Sequence, residues 1–216
     1  RWIDDVISVL ADPELDARHL VFAGGTGLYF KALLGGLSPM PEVPDDIRKT
    51  WRARLEQVGP EVLHGELHKR DPDTAARLKP QDGQRIVRAI EVFEASGETI
   101  SAWQAKSGNA LIGGADVRKI CVLPAREAVR ARIDLRFKAM VQHGALDEVR
   151  ALLALELNPG LPGMKAIGVG ELGAYLRGET DIETAIELAS AATRQYAKRQ
   201  TTWLRHQFES DWEMRG

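Results

Sequence analysis

Residues 19–34 have the sequence HLVFAGGTGLYFKALL, and they give the clearest indication of the fold. His19–Ala23 is a short apolar run with β-forming residues and predicts a strand, while Leu28–Leu34 has the composition of a helix. The glycine-rich turn Gly24–Gly27 connects the two. A strand, a tight turn and a helix in this order are half of an α/β unit, so we expect an α/β core.

A second strand is predicted at Ile120–Leu123, which is again followed by a helical stretch. Two strands are too few for an independent α/β domain. We therefore expect the sheet partners of both strands to lie elsewhere.

Helix is predicted for most of the remaining chain, because apolar residues recur at helical spacing. The predicted helices cover residues 2–11, 45–58, 61–69, 73–78, 82–96, 101–106, 126–142, 145–156, 168–177 and 181–208. Gly97 is the expected C-cap of the fifth of them. This pattern predicts a partial α/β core, formed by residues 1–41 and 117–216, and a helical insertion domain over residues 42–116.

The composition is that of an ordinary globular chain, with 44% AVILMFWYC among 216 residues, and this argues against disorder. The net charge of −2 predicts no particular partner. The single cysteine, Cys121, excludes an internal disulfide framework and fits a reducing compartment. His64 and His68 lack a third ligand, so no metal site is expected. No run reaches the ~18 apolar residues of a membrane helix, so no membrane partner is expected either.

The turn Gly24–Gly27 allows two interpretations. Glycines between a strand and a helix let backbone N–H groups approach an anion at the helix N-terminus, or they simply permit a tight turn. The spacing matches neither G-x-x-x-x-G-K-[ST] nor G-x-G-x-x-G, which favours the tight turn. Thr26 is the one side chain of the turn with a capacity beyond packing.

The last predicted helix carries a stripe of positive charge. Arg194, Lys198 and Arg205 fall within about 40° of one another on a helical wheel. Arg199 adds a fourth cation, and no carboxylate occurs between Arg194 and His206. A stripe of one sign is typical of a surface that binds nucleic-acid phosphates, although most charged faces are simply solvated.

Two other basic segments are also ambiguous. Arg132 and Arg136 lie at the edge of a buried stripe, where arginine either binds a diphosphate or extends its charged head into solvent. Gln84 and Arg85 open a helix, where they either contact a nucleic acid or form an ordinary exposed first turn.

Taken together, these segments resemble the tRNA dimethylallyltransferase family, also called tRNA isopentenyltransferase. The order and spacing agree over nearly the whole chain. The matching stretches are Gly24–Tyr29 with Ala32–Leu34, Gly36–Pro39, Asp71-Pro72 with Ala75–Arg77, Asp82 with Gln84-Arg85 and Arg88–Val92, and Ala192–Gln200 with Thr202–Arg205.

This resemblance implies transfer of a dimethylallyl group from dimethylallyl diphosphate to N6 of adenosine 37 in tRNA, with the target base flipped out of its stack. It implies a nucleotide-binding, P-loop-type α/β core, with a parallel sheet and flanking helices, and a helical insertion that grips the anticodon stem-loop. The diphosphate leaving group requires cationic partners and Mg²⁺. A cytoplasmic enzyme, monomeric when complete, is expected.

The resemblance also assigns individual residues. Thr26 matches the threonine that meets the flipped adenosine, and Arg136 is placed on the leaving diphosphate; both are expected to be catalytic. The residues expected to bind tRNA are Thr26, Arg48, Gln84, Arg85, Arg88, Lys165, Arg194, Lys198, Arg199, Trp203 and Arg205.

The chain departs from the family pattern in two respects. Val169 and Gly170 replace a usual Tyr and Arg/Lys, which leaves Lys165 as the charged member of that strip. The family's N-terminal phosphate loop, its catalytic Asp and the expected Mg²⁺ ligands have no counterpart in these 216 residues. We therefore expect the C-terminal two-thirds of the enzyme, inactive by itself.

Two alternatives remain open. One is a non-catalytic tRNA-binding fragment, and the other is an adenylate isopentenyltransferase that acts on a free nucleotide. The predicted insertion and the basic helix argue against the second, because a small nucleotide needs no long cationic surface.

Overall fold

The computed structural model describes residues 2–15, 18–113, 117–208 and 210–216. In this part of the chain the helices are α1 Trp2–Leu10, α2 Gly27–Gly35, α3 Asp45–Arg70, α4 Pro72–Arg77, α5 Gly83–Ser96, α6 Ile100–Ala105, α7 Arg126–Met140, α8 Leu146–Leu153, α9 Val169–Leu176 and α10 Ile182–Gln207. The strands are β1 Ile120–Val122 and β2 Glu213–Arg215. None of the described helices is both long enough and apolar enough to cross a bilayer.

The chain divides into two units. The first comprises Arg1–Val21 and Leu28–Ala115, and the second comprises Phe22–Gly27 and Asp116–Gly216. The domain boundaries predicted from the sequence stay a prediction, and Asp116, at one of them, lies outside the described residues.

The core of the first unit lies between α3 and α5. Its fully buried side chains include Leu63 and Leu67 from α3 and Ile86 and Ile90 from α5, as the helical spacing predicts. The helix α3 contains the two predicted helices 45–58 and 61–69, which are separated by a kink. Gly59 has a φ of 78° there, and the next residue, Pro60, lacks the N–H that would continue the helical hydrogen bonds.

Both ends of α5 follow from its sequence. The Asp82 carboxylate accepts a hydrogen bond from the backbone N–H of Arg85 at 3.4 Å and caps the first turn. Gly97 ends the helix in the left-handed conformation, with φ 72°, which confirms the predicted C-cap. The helix therefore presents its exposed first turn, with Gln84 and Arg85, at a fixed position.

The core of the second unit is built around α10. Phe137 of α7, Leu172 of α9, and Ala185 and Ala189 of α10 are buried together. Small residues on α10 let the neighbouring helices approach closely. The N-terminus of α10 is capped by Asp181, whose carboxylate accepts from the Thr184 N–H at 2.6 Å. That backbone hydrogen bond, with a second one from the Thr184 hydroxyl, lowers the pKa of Asp181.

The described strands form a two-stranded parallel sheet, with Ile120 opposite Glu213 and Val122 opposite Arg215. This confirms the predicted α/β class and the strand at Ile120–Leu123, which ends one residue earlier. The helices α7 to α10 make the crossover that a parallel pair requires. The partner strand β2 was not predicted from the sequence.

The predicted strand His19–Ala23 is wrong. These residues are neither helix nor strand, and Val21 is 87% exposed. A strand exists only where a neighbouring strand satisfies its backbone N–H and C=O groups, and no described strand pairs with this segment. The helix predicted directly after the glycine turn is confirmed as α2.

Gly168 and Gly170 provide a matched test of the packing of α9. Gly168 has φ 103°, and a Cβ added there would lie 3.3 Å from Phe137 Cε2, whereas a Cβ at Gly170 would meet nothing within 4 Å. Gly168→Ala should lower the free energy of unfolding by about 1–2 kcal/mol, because a side chain disfavours that φ. Gly170→Ala should raise it by about 0.5–1 kcal/mol. Urea denaturation measures both, and equal effects would contradict this account.

Candidate nucleic-acid interface

The exposed face of the C-terminal half of α10 forms an open groove of about 540 Å³. The side chains that line it are Gln195, Lys198, Arg199, Thr202, Trp203, His206 and Gln207. Lys198 and Arg199 are exposed, and no ion pair joins either of them to a carboxylate within the described residues. The Arg199 guanidinium lies over the Tyr196 ring, 5.7 Å from its centroid. Two cations without a carboxylate partner in the described residues, beside an indole ring, suit a ligand that carries both phosphates and aromatic bases.

The glycine turn packs directly against this helix. The side-chain amide of Gln200 donates to the carbonyl oxygen of Gly25 at 3.1 Å. A Cβ added at Gly27 would lie 1.8 Å from the Trp203 ring. At Gly27 glycine is therefore required for close approach to α10, and the turn holds Thr26 exposed beside the groove.

Aromatic contacts hold Trp203 in place. Its ring packs edge-to-face on Phe208, with 5.8 Å between the ring centroids and an interplanar angle of 84°. Phe208 in turn stacks on Trp212, with centroids 3.6 Å apart. Trp203 is half-buried, so the residue that was predicted to bind tRNA also supports the turn.

Arg194 differs from the other cations of the stripe, because carboxylates surround it. Its guanidinium donates to Glu187 and to Asp134, each at 2.5 Å. Hydrogen bonds to Glu187 and then Asp134 raise the pKa of Arg194. Its charge is compensated within the protein, so Arg194 has a structural role that competes with binding tRNA. A contact between Arg194 and tRNA stays a prediction.

Arg136 lines a smaller cavity of about 200 Å³ on the second unit. The other lining residues are Ile133, Phe137, Met140, Ile167 and Thr193. The Thr193 hydroxyl donates to the carbonyl oxygen of Ala189 at 2.8 Å. Among these lining residues Arg136 therefore supplies the charge of an otherwise apolar cavity, and its side chain is exposed.

Lys165 ends the short 3-10 helix Pro162–Lys165 and is exposed. Val169 and Gly170 begin α9 a few residues later. Lys165 is not one of the residues that line the groove on α10, so its predicted role stays a prediction.

Arg205, another predicted tRNA-binding residue, lies in the last turn of α10, and the remaining ones lie in the first unit. Arg48 pairs with Asp45 at 3.5 Å on the first turn of α3. Arg85 pairs with Asp82 at 3.4 Å, and Gln84 is exposed beside it. Arg85 is the most exposed of these arginines, with 75% of its side chain accessible.

Arg88 has a different environment from Arg85. It lies 3.8 Å from Glu91, a carboxylate buried in α5, and Arg52 of α3 lies 3.9 Å from the same carboxylate. Glu91 and Arg52 were missed by the sequence reasoning. The sequence signal that could have identified Glu91 is its place between the core residues Ile90 and Val92, where a charged residue is unusual.

Within the described residues, no group of three or more His, Cys, Asp or Glu side chains is arranged to hold a metal ion. One ring nitrogen of His64, Nε2, lies 2.9 Å from the carbonyl oxygen of Ala75 and 3.2 Å from that of Leu78, so this histidine supports the end of α4.

Comparison with known sequences gives a consistent result. The family model described as IPP transferase matches residues 1–207. The chain is 52% identical over 213 residues to a tRNA dimethylallyltransferase of Chelativorans sp. (strain BNC1). The matched region covers 99% of this chain and 73% of that protein. It is also 52% identical over 212 residues to a tRNA dimethylallyltransferase of Rhizobium meliloti (strain 1021), covering 98% and 70%.

Solved structures agree with the sequence comparison. The crystal structure of a tRNA delta(2)-isopentenylpyrophosphate transferase from Staphylococcus epidermidis matches with a TM-score of 0.54 and 28% identity, over 98% of this chain and 68% of that chain. A eukaryotic dimethylallyltransferase acting on tRNA matches with a TM-score of 0.70 and 25% identity, over 94% and 52%.

Proposed function

The chain belongs to the IPP transferase family, and from this premise we propose that it transfers a dimethylallyl group from dimethylallyl diphosphate to N6 of adenosine 37 in tRNA. Family membership makes it a tRNA prenyltransferase. Adenosine 37 as the target and the anticodon stem-loop as the bound element are finer parts of the proposal. The proposal also includes a cytoplasmic reaction and a divalent cation bound to the diphosphate, and family membership is the basis for both.

The observation that carries the proposal is the groove on α10. Lys198 and Arg199 expose charge without an ion pair in the described part of the chain, and the turn that contains Thr26 packs against the same helix. Phosphates of an RNA strand bind such cations, and a neighbouring base stacks on an aromatic ring. This arrangement therefore supports an RNA backbone on α10 with a base beside Thr26.

The reaction is a substitution at carbon. The bond from N6 to C1 of the dimethylallyl group forms, and the bond from C1 to the diphosphate oxygen breaks, with its electron pair leaving on the diphosphate. N6 passes its proton to a carboxylate that acts as general base. Arg136, the cation of its apolar cavity, is proposed to stabilise the negative charge that develops on the diphosphate. Thr26 is proposed to orient the adenine next to the reacting amine.

A prenylation assay tests this function. The protein, with any residues that flank positions 1–216, is incubated with radiolabelled dimethylallyl diphosphate and either tRNA or AMP, and the labelled nucleoside is located by digestion and mass spectrometry. We expect label at adenosine 37 and none in a tRNA that carries guanosine there. Label in free AMP would instead favour an adenylate isopentenyltransferase. The predicted inactivity of residues 1–216 alone stays a prediction, and tRNA binding without turnover by that segment is its expected signature.

A further inference from the structure

Glu91 is a charged residue in the core of the first unit. It is 4% exposed, and its neighbours Ile90 and Val92 on α5 are fully buried. Removing a carboxylate from water costs several kcal/mol unless opposite charges or hydrogen bonds compensate it. A carboxylate at this position therefore needs cationic partners.

Its partners are two arginines from different helices. Arg88 Nη1 lies 3.8 Å from Glu91 Oε2, one turn earlier on α5. Arg52 Nε lies 3.9 Å from Glu91 Oε1 and comes from α3. Both distances are longer than a hydrogen bond, so the carboxylate attracts both guanidinium groups by charge alone. The five N–H donors of each guanidinium therefore stay available for another acceptor.

The two arginines also remain accessible. Arg52 has 70% of its side chain exposed and Arg88 has 39%, whereas the Glu91 side chain has 5%. Two positive charges against one negative charge leave one net positive charge at the surface. The arrangement is two accessible guanidinium heads, each of which lies beside one oxygen of the same buried carboxylate.

We propose that Arg52 binds a backbone phosphate of the RNA together with Arg88, and that Glu91 is the positioning residue for both. Guanidinium groups recognise phosphate oxygens through paired N–H donors, so two heads beside the same carboxylate are able to share one phosphate. The inference rests on the proposed function, because it names a further contact for the same RNA. The resemblance to the family assigns Arg88 but not Arg52 or Glu91.

The position of Arg52 on α3 supports this. Arg48 precedes it by four residues and Arg85 precedes Arg88 by three, so each lies on the same face of its helix as its partner. The helices α3 and α5 pack against each other, so each contributes two arginines to this part of the first unit, and Arg52 and Arg88 lie nearest the buried carboxylate. Several arginines on two packed helices suit an extended phosphate backbone better than a single small anion.

The first experiment replaces Arg52 and a matched control. Binding of fluorescently labelled tRNA is measured by anisotropy at several salt concentrations for the wild type, Arg52→Gln and Arg54→Gln. Arg54 is on the same helix and is half-exposed, but its guanidinium pairs with Glu66 at 3.4 Å. We expect Arg52→Gln to raise Kd about 5-fold to 10-fold and to reduce the slope of log K against log salt by about 0.7–0.9. We expect Arg54→Gln to change neither by a comparable amount.

The second experiment replaces Glu91 by Gln. If Glu91 acts only through its charge, its removal should tighten tRNA binding, because a negative charge is lost. If it positions the two arginines, Glu91→Gln should weaken binding and reduce the salt slope, and Arg52→Gln in that background should add little. If Glu91→Gln lowers the melting temperature but leaves the salt dependence of tRNA binding unchanged, Glu91 has only a structural role, and the proposal that it positions the two arginines is wrong.

The outcomes separate this inference from the proposed function. If the cations of α10 are needed for tRNA binding while Arg52→Gln has no effect, the proposed function stands and the contact through Arg52 is wrong. If the wild-type protein does not bind tRNA at all, both are wrong.

Discussion

Gly27→Ala should lower the free energy of unfolding by about 3 kcal/mol, the upper end of the range for overpacked sites. A Cβ at this position would lie 1.8 Å from one carbon of the Trp203 ring and 2.2 Å from another. The ring has little freedom to retreat, because its edge-to-face contact with Phe208 holds it from another side. The turn would have to leave α10 and would carry Thr26 away from the groove.

Gly24→Ala is the matched control, because a Cβ at Gly24 meets nothing within 4 Å. Chemical denaturation should show a stability close to that of the wild type for this variant. In a Trp203→Ala background the Gly27→Ala change should cost less than about 0.5 kcal/mol, because the clash has been removed. An undiminished cost in that background would mean that Trp203 is not what requires glycine at this position.

The double variant Lys198→Gln/Arg199→Gln should weaken tRNA binding roughly 10-fold to 100-fold at moderate salt, and it should do so for all tRNAs alike. Each lost phosphate contact removes about 0.7–0.9 from the slope of log K against log salt, so the slope should fall by about 1.5. Glutamine keeps the length and polarity of the side chains and removes only the charge. Titrations at four salt concentrations measure both quantities.

The control for this variant removes the same charge elsewhere on the second unit. Arg150 and Arg177 are exposed and pair with Asp147 and Glu179. If Arg150→Gln/Arg177→Gln weakens binding as much as the first variant, the effect comes from overall charge and the groove on α10 has no special role. A melting temperature near that of the wild type confirms that both variants are folded.

The helices were predictable because their signals are local. Asp82, Gly97 and Asp181 mark helix ends through their own conformations and hydrogen bonds, and the apolar spacing of α3 and α5 identifies the core. The strands were harder, because a strand depends on its partner. His19–Ala23 has the composition of a strand but no described strand beside it, whereas Glu213–Arg215 is polar and exposed yet pairs with Ile120–Val122.

The sequence predicts which residue types form the candidate site, but it does not predict which other side chains they contact. The motif identifies Lys198 and Arg199 as basic surface residues, and the structure exposes them. The motif does not predict that Arg194, on the same stripe, donates a hydrogen bond to Asp134, which lies 60 residues earlier in α7. Pairings of this kind depend on how helices pack, and a single sequence does not encode them as a local pattern.

The position of the basic groove at the end of α10 also affects the helix itself. The carboxyl end of a helix carries a partial negative charge, and Arg205 and His206 lie in the last turn of α10. A cation placed there, such as Arg205, stabilises the helix by about 0.3–1 kcal/mol. A phosphate bound to Arg205 competes with the helix dipole for that charge. Substitutions that tune RNA affinity in the last turn therefore also change how firmly the helix end is formed, whereas Lys198 and Arg199, farther from the end, vary more independently of helix stability.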